Sequence, residues 1–209
     1  MDVARYREGH KQRAREAILK NAAERFRREG IAAVGVRALM ADAGLTHGGF
    51  YAHFSSRADL VAAAVEVAAE STIGYFETVL AAAPSDRKLE TLIATYLRER
   101  HRSSVGMGCT AASLAPEIAR EGLDTRARFG IQSGRLIQLI ADLLPEGGDA
   151  GDRTSRAGAV FALMMGVLQL MRIETDDLAA ERLMREGREA ALCLATRPWR
   201  GQGTSDLGG

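Results

Sequence analysis

Hydrophobic residues along the 209-residue chain recur mostly at the spacing of an α-helix. In residues 11–29, Ile18, Ala22 and Phe26 return at every fourth position, with polar residues between them. No stretch keeps the two-residue alternation of a half-buried strand. The pattern predicts an all-α fold, with helices at residues 11–29, 36–43, 46–53, 57–80, 110–121, 124–144, 152–172 and 176–195 and one more after Pro84.

Glycines and a hydroxyl residue mark the ends of the first helices. Gly30 and Gly44 follow the first two hydrophobic runs, and glycine is common just past a helix C-terminus. Thr46 stands at the N-cap position of the third helix. Two short helices joined at residues 44–46 match a helix-turn-helix, whose second helix can enter a DNA major groove. Helical hairpins occur in every all-α class, so this spacing alone decides little.

Composition fits an ordinary soluble helical protein. Aromatic residues make up 5% of the chain, alanine is abundant, and the formal net charge is +1. The charge is uneven, because residues 1–60 hold eleven Lys/Arg against seven Asp/Glu. A basic N-terminal part suggests a polyanionic partner, although an arginine-rich solvated helix face would give the same count.

Cysteine usage and hydropathy indicate a cytoplasmic protein. Cys109 and Cys193 are far apart and have neither CxxC nor zinc-site spacing, so we expect no disulfide framework and no metal site. The first twenty residues contain no apolar signal-peptide run. The most apolar stretch, residues 157–171, is shorter than the roughly 18–20 residues needed to span a bilayer.

The third helix has an unusual composition for a helix that only packs. Gly48 and Gly49 each cost roughly 1 kcal/mol relative to alanine inside a helix, but they allow close approach to a large flat partner. His47, Tyr51 and His53 can donate hydrogen bonds to phosphate oxygens. The free N–H groups of a helix N-terminus are themselves a phosphate site. These features favour contact with DNA.

The segment ADAGLTHGGFYAHFSSRADLV, residues 41–61, resembles the signature of the tetracycline-repressor (TetR/AcrR) family. That signature contains Ala-Gly, a hydrophobic residue, Ser or Thr, a glycine, an aromatic residue, Tyr, His-Phe, and then a basic residue and Leu. The resemblance covers residues 12–65 without a gap. The matching positions are Phe26, Gly30, Arg37, Ala43, Gly44, Thr46, Gly48, Tyr51, His53, Phe54, Arg57 and Leu60.

The resemblance implies a set of DNA-contacting residues. Residues 46–49 would face the groove, Tyr51 and His53 would touch phosphates, and Arg57 would clamp a phosphate from the next helix. Arg37 would contact either a phosphate or an acidic neighbour. The full predicted DNA-binding set is Arg37, Thr46, His47, Gly48, Gly49, Tyr51, His53 and Arg57.

Some positions depart from the family pattern. Residues 34–36 are Val-Gly-Val, without the usual Thr or Ser before the second helix. His47 stands where Lys is frequent, so its charge depends on pH, and Gly49 has no side chain to recognise a base. Phe50 and Phe54 are expected to anchor the helix in the core. The third helix is therefore predicted to contact few bases directly, and DNA shape would contribute to sequence specificity.

The resemblance implies two domains. An N-terminal three-helix helix-turn-helix DNA-binding domain would span residues 1–62, and a C-terminal helical bundle for ligand binding and dimerisation would span residues 63–196. Residues 197–209 are expected to be a disordered tail, apart from packing of Trp199. Residues 157–171 are apolar on almost every face, which suits a dimer interface or the core helix of a monomer, and we favour the interface. Interface candidates are Val160, Phe161, Val167, Leu183 and Leu192.

Candidate effector chemistry lies in the second half of the chain. A largely apolar pocket is predicted from Met107, Leu114, Phe129, Ile137, Met164, Met165 and Leu168. Cys109 near a helix N-terminus could sense oxidants or electrophiles. A small buried hydrophobe is the commoner role for a lone cysteine, and no basic residue lies within five positions. His101, in a basic helix end, is expected to be solvated.

The sequence predicts a homodimeric, ligand-responsive transcriptional regulator, a repressor that leaves a palindromic operator when an effector binds. No HExxH, GxSxG or P-loop motif is present, so we expect neither an enzyme nor a cofactor. The alternative is a small all-α enzyme or a helical protein-binding module without DNA binding. The sequence names neither the effector nor the operator.

Overall fold

The structure, a computed structural model, describes the backbone of residues 3–199 and the side chains of residues 9–199. In that range all regular elements are helical and no residue is in a strand, which confirms the predicted all-α fold. Residues 200–209 of the predicted tail lie outside the described residues. The α-helices are α1 (Val3–Glu29), α2 (Val36–Asp42), α3 (Arg57–Ala82), α4 (Lys88–Tyr96), α5 (Glu99–Ser103), α6 (Thr110–Ile118), α7 (Leu123–Leu143), α8 (Ala150–Ile173) and α9 (Asp177–Thr196), with 3₁₀ helices at His47–Ala52, Ser85–Arg87 and Val105–Met107.

By their internal contacts the residues form two compact units. The first unit holds the chain up to Ile73 together with Ser104–Ser133. The second holds Gly74–Ser103 together with the chain from Gly134 onward. The predicted boundaries at residues 62 and 196 instead separate a DNA-binding domain from a ligand-binding and dimerisation domain. They remain a prediction.

The helix-turn-helix and α6 share the hydrophobic core of the first unit. Ile18, Ala22 and Phe26 of α1, the residues with four-residue spacing, are at most 2% exposed. Apolar burial stabilises by roughly 25 cal/mol per Å², so this core holds the short α2 and the 3₁₀ helix in place. The remaining buried members are Leu19, Ile31, Val34, Leu39, Met40, Phe50, Phe54, Leu60, Val61, Ala63, Ala64, Val65, Leu114 and Ile118.

Two glycines end α1 and α2 as predicted, because both adopt left-handed backbone conformations. Gly30 has φ 87° and Gly44 has φ 69°, where a side chain would be strained. The N–H of Leu45 donates to Met40 O at 2.8 Å, and the N–H of Gly44 donates to Ala41 O at 2.9 Å. This is a Schellman motif, which satisfies the last carbonyls of α2 and turns the chain toward the next helix.

Glu117 of α6 caps the turn that follows α1. Its carboxylate accepts the N–H of Ile31 at 2.7 Å and of Ala32 at 3.3 Å. A Cβ on Gly30 would lie only 2.9 Å from Glu117 Oε1. Gly30 is therefore favoured by its backbone conformation, and its missing side chain also leaves room for the Glu117 carboxylate.

In the second unit, α8 and α9 form a tightly packed pair. A Cβ on Gly187 of α9 would lie 2.6 Å from Val167 Cγ1 of α8, so this glycine permits the approach. Asp149 and Asp176 cap the two helices, because their carboxylates accept the N–H of Asp152 at 2.8 Å and of Leu178 at 2.9 Å.

The burial of α8 corrects part of the predicted dimer interface. Val160 is 0% exposed and Phe161 is 6% exposed within the single chain. The Phe161 ring lies edge-on to Tyr96, with ring centroids 6.1 Å apart. These two side chains belong to the core of their own unit and offer almost no area to a partner. Val167, Leu183 and Leu192 are half-buried, so their predicted interface role stays a prediction.

The outward face of α8 is apolar along most of its length. Leu170 is 55% exposed and Ile173 is 74% exposed. At helical spacing before them stand Ala159, Ala162 and Gly166, all exposed. We call residues 159, 162, 166, 170 and 173 the α8 stripe.

In the described part of the chain, α8 is also the one helix long and apolar enough to cross a bilayer by length and composition. It extends to 24 residues, beyond the 15-residue run counted in the sequence. Core helices of soluble proteins meet the same criterion, and 39% of the relevant window is buried within the chain.

His101 is not solvated, contrary to the sequence prediction. Burial, followed by the charges of Arg172 and Arg98, lowers its pKa to about 4, against a hydrogen bond to Tyr96 O that raises it. The Nδ1–O distance in that bond is 2.6 Å, and the imidazole lies edge-on to the Tyr96 ring at 4.8 Å. The imidazole is therefore neutral at physiological pH.

Trp199 is buried, in agreement with the packing expected for it within the predicted tail. Arg156 lies over its ring with the guanidinium carbon 3.4 Å from the ring centroid, and the indole N–H donates to Glu146 O at 3.1 Å. A Cβ on Gly148 would lie 2.5 Å from the indole. The last described residue is thereby fixed on the turn between α7 and α8.

Candidate nucleic-acid interface

The second helix of the helix-turn-helix is a 3₁₀ helix, His47–Ala52, which we call the recognition helix. Thr46 occupies its N-cap with an extended backbone, as predicted, but its hydroxyl forms no capping hydrogen bond. The Thr46 carbonyl instead accepts the N–H of Gly49 at 3.0 Å. The Thr46 hydroxyl is thus available to an external partner.

Phe50 and Phe54 hold the recognition helix against the core. They are 3% and 2% exposed, and their rings stack with centroids 5.7 Å apart. The anchoring role predicted for both rings is confirmed by this burial. Their pairing fixes which side of the helix faces outward.

The opposite side of the recognition helix faces solvent. Tyr51 is 75% exposed, although tyrosine usually buries much of its ring. Thr46, His47 and Gly48 are also exposed. These four residues thus form an exposed surface from which the phenol of Tyr51 projects.

Neither glycine of the recognition helix is required by the fold of this chain. A Cβ at Gly48 would meet nothing within 4 Å. A Cβ at Gly49 would touch only Met40 Cε and Thr46 Oγ1, both at an ordinary 3.8 Å. Neither residue has a positive φ. Since glycine costs helix stability, its presence here points to something outside the chain.

The two arginines predicted to contact phosphates, Arg37 and Arg57, differ in their hydrogen bonding within the chain. Arg37 is exposed at the start of α2. Arg57 is exposed as well, but its Nη2 donates to Ile31 O at 2.6 Å. Part of the Arg57 guanidinium therefore braces the end of α1, which leaves its remaining N–H groups for a phosphate.

His53 lies beside two cations, Lys11 and Arg15, that do not belong to the predicted DNA-binding set. Partial burial, followed by the charges of Lys11 and Arg15, lowers the pKa of its imidazole. Nδ1 of His53 is buried and has no hydrogen-bond partner among the described residues. A neutral imidazole can still donate one hydrogen bond to a phosphate. The sequence contains a signal for Lys11 and Arg15, because both share a helical face with the core residue Ile18. Both also come before the recognition helix in the chain.

In the first unit, the predicted pocket residues have three environments. Leu114 is 1% exposed and belongs to the core shared with the helix-turn-helix. Phe129 packs against that core. Met107 is 72% exposed, so it lines no enclosed space. Burial does not exclude Leu114 from a pocket wall, so its predicted role stays a prediction, whereas Met107 is too exposed to line an enclosed pocket.

In the second unit, Met164 and Leu168 are 0% exposed, and Ile137 and Met165 are half-buried. The two clefts described on the surface contain none of the predicted pocket residues. One of about 300 Å³ is lined by Arg87, Glu90, Thr91, Ile93, Ala94, Arg188, Glu189 and Leu192. One of about 400 Å³ is lined by Glu29, Gly30, Ala32, Ala33, Glu117, Arg120 and Glu121.

Cys109 is 2% exposed at the N-cap of α6. Arg27 lies near enough for its charge to interact with the thiol, although burial is the larger effect and lowers the Arg27 pKa. The Arg27 guanidinium donates to Gly106 O at 2.6 Å and Ala68 O at 3.2 Å. No local pattern in the sequence indicates this neighbour, because 82 positions separate Arg27 from Cys109. Among the described residues, no cluster of His, Cys, Asp or Glu is suited to a metal ion.

The first unit thus contains a helix-turn-helix with an exposed recognition helix that two buried rings anchor. Residues 18–64 match the family model described as "Bacterial regulatory proteins, tetR family". The chain thus has the DNA-binding segment of the tetR family.

Solved structures extend the similarity to most of the chain. The reduced form of NemR from E. coli is 17% identical with a TM-score of 0.70, covering 84% of this chain and 95% of NemR. A TetR transcriptional regulator from Chloroflexus aurantiacus is 24% identical with a TM-score of 0.72, covering 88% of this chain and 96% of that one. A TetR-family regulator from Streptomyces coelicolor is 22% identical with a TM-score of 0.69, covering 88% and 90%.

At these identities the similarity establishes the fold. No curated protein sequence matches the chain. The fold is that of a TetR-family transcriptional regulator, with an N-terminal helix-turn-helix and a C-terminal helical bundle.

Proposed function

We propose that the protein is a homodimeric transcriptional repressor that binds a palindromic operator and is released by a small, largely apolar effector. The observation on which this rests is the recognition helix, whose two glycines have no role in the chain's own packing. Glycine at such a place is explained by a partner whose surface comes within van der Waals distance of the backbone. Operator DNA is that partner.

The exposed residues of the recognition helix have matching roles. Thr46 and His47 lie at its N-terminus, where N–H groups and side chains can reach the groove. Tyr51 projects far enough to meet a phosphate. Gly48 and Gly49 admit the DNA backbone, while Arg37 and the free part of Arg57 contact phosphates on either side. Base recognition would be limited to Thr46 and His47 together with DNA shape.

A substitution at Gly48 tests this function directly. Gly48→Ala adds a methyl group into open space, so we expect unchanged or slightly raised stability and an operator affinity reduced about tenfold or more, equivalent to about 1.4 kcal/mol. Gly130→Ala on α7 is the matched control, because its Cβ would also meet nothing within 4 Å. Fluorescence anisotropy with DNA from upstream of the gene, measured at two salt concentrations, gives both affinities.

The result also separates the proposal from its rival. A small all-α enzyme or a protein-binding module would show no salt-dependent binding to any operator-like DNA. Equal affinities for Gly48→Ala, Gly130→Ala and the unmodified protein would contradict the assigned face of the recognition helix.

Release by an effector requires that the effector bind the DNA-incompetent state more tightly. We assign the effector site to the second unit, where Ile137 and Met165 are half-buried apolar side chains and Met164 and Leu168 are fully buried. The fold neighbours are transcriptional regulators, so we propose no catalytic activity, and the site of action is the cytoplasm.

Thiol modification at Cys109 is a second candidate trigger, favoured by its position at the N-cap of α6 beside the Arg27 charge. Its 2% exposure opposes rapid reaction. If Cys109 is the trigger, Cys109→Ser should abolish release of DNA by a thiol-specific electrophile, while Cys193→Ser, which removes the exposed thiol, should not. Release that persists in Cys109→Ser eliminates this trigger.

A further inference from the structure

Residues 9–17 of α1 extend beyond the buried core of the first unit. In residues 9–17 no side chain is buried, and Ile18 is the first buried residue in the part of α1 whose side chains the structure describes. Residues 3–17 contain five Lys/Arg against two Asp/Glu. The described residues 9–17, about two and a half turns of helix, therefore lie outside the hydrophobic core of the first unit.

One face of this extension lies beside the recognition helix. The guanidinium carbon of Arg15 is 5.0 Å from the centroid of the Phe54 ring. The Phe54 ring lies 6.5 Å from the ring of His53, and both the Arg15 and Lys11 charges act on that imidazole. Lys11 and Arg15 are four residues apart, so they lie one above the other on this face.

Lys11 and Arg15, the cations of this face, differ from the later arginines of α1 in their ion pairing. Among the described residues neither Lys11 nor Arg15 forms an ion pair, whereas Arg25 and Arg28, nearer the end of α1, are paired with Glu24, Glu29 and Asp42. Glu16 accepts a hydrogen bond from Gln12 instead. Unpaired cations that converge on a DNA-facing helix are suited to phosphate contact.

We propose that Lys11 and Arg15 form, with Tyr51 and His53, a continuous phosphate-binding surface that extends the DNA footprint of the recognition helix along α1. This inference rests on the proposed DNA-binding function and adds an element outside the helix-turn-helix to it. The partner is the phosphate backbone of duplex DNA, because the face offers cations and hydrogen-bond donors but no large apolar side chain to insert into a membrane or protein groove.

The helix itself supplies matched controls. Lys20 and Arg13 are exposed residues of α1 that lie on its opposite side, at 100° per residue. Lys11→Gln and Lys20→Gln remove the same charge, as do Arg15→Gln and Arg13→Gln. Arg15→Lys keeps the charge but alters the contact with Phe54.

Anisotropy titrations of 30-base-pair upstream DNA and of an unrelated duplex, over a range of salt, test the surface. A phosphate contact contributes about 0.9 to the slope of log affinity against log salt. We expect Lys11→Gln and Arg15→Gln each to lower affinity about fivefold near 0.15 M salt, on both duplexes, and to reduce the slope by about one. Arg15→Lys should retain most of the affinity, and Lys20→Gln and Arg13→Gln should change it less than about twofold, since screening acts within roughly 8 Å.

The outcomes are distinguishable. Equal losses of DNA affinity in all four charge variants would mean that only net charge matters. That result would overturn the proposed phosphate-binding surface but not the proposed role of the recognition helix. An unmodified protein that binds no duplex even at low salt overturns the proposed function and this surface with it. Urea denaturation of each variant guards against a folding defect in Arg15→Gln, and Lys11, whose side chain is exposed, gives the deciding comparison.

Discussion

At the scale of single residues, the glycines of this chain serve opposite purposes. Gly187 is required from within, because a Cβ there would overlap Val167, whereas Gly48 has open space around the same position. The fold thus accounts for Gly187 and not for Gly48. Gly130 and Gly166 have open space as well, so the position of Gly48 on the exposed face of the recognition helix is what indicates a partner.

Gly187→Ala is expected to destabilise the second unit by about 1–3 kcal/mol, because a methyl group would force α8 and α9 apart. Gly134→Ala on the exposed face of α7 should be neutral or slightly stabilising, since its Cβ would meet nothing within 4 Å. Urea denaturation followed by circular dichroism compares the two. Equal stability of both variants would mean that α8 and α9 are not in close contact at this point.

His101 gives a pH dependence with a defined sign. Its pKa falls from 6.5 to about 4 on folding, so between these values the unfolded chain binds a proton that the folded protein does not. The contribution to stability is complete above about pH 6.5 and is lost as the pH falls toward 4, by on the order of 1–3 kcal/mol.

The measurement compares the pH dependence of unfolding in the unmodified protein and in His101→Asn, whose amide N–H can replace the donor to Tyr96 O. The difference between the two curves should be flat above pH 7 and should change between pH 6.5 and 4. A difference that stays constant throughout would show that this imidazole is solvated.

At the scale of elements, α6 is joined to the end of α1 by polar contacts rather than by apolar packing alone. Glu117 accepts two backbone N–H groups after α1, and Arg27 donates to the carbonyls of Gly106 and Ala68. Both contacts tie residues 104–118 to the helix-turn-helix within the first unit. Movement of α6 would therefore alter the turn that leads into α2.

Glu117→Ala should destabilise the first unit by about 1–3 kcal/mol, because it leaves two backbone donors without their acceptor. Hydrogen exchange at the Ile31 amide should accelerate with it. Glu121→Ala, which removes a carboxylate from the same cleft, is the control and should cost less than about 0.5 kcal/mol. Unchanged exchange at Ile31 would contradict the capping role.

At the scale of the whole molecule, the proposed dimer requires an apolar surface that the single chain leaves open. The α8 stripe is such a surface, whereas Val160 and Phe161 are already covered. A helix with one apolar face inward and another outward suits an interface between two copies.

Leu170→Asp together with Ile173→Asp should convert the dimer to a monomer, because two charges would be desolvated in the interface. Leu123→Asp, at a side chain 79% exposed on α7, should leave assembly unchanged. Sedimentation velocity gives the oligomeric state. A doubly substituted protein that remains dimeric would place the interface elsewhere.

The all-α fold, the ends of α1 and α2 and the anchoring of Phe50 and Phe54 followed from the sequence alone. Helical periodicity, positive-φ glycines and large apolar rings are local signals, and each acts through forces that a short segment already contains. The exposure of Thr46, His47, Gly48 and Tyr51 agrees with the predicted DNA-binding set, and their contacts with DNA remain a prediction.

Only the tertiary structure decided which apolar residues are buried and which polar ones have neighbours. The sequence could not show that Val160 faces its own core while Leu170 is exposed, since almost every face of α8 is apolar. Nor could it show the contacts of Glu117 with Ile31, of Arg27 with Gly106, or of Arg15 with Phe54. These contacts join residues far apart in the chain, and their geometry exists only once the helices have packed.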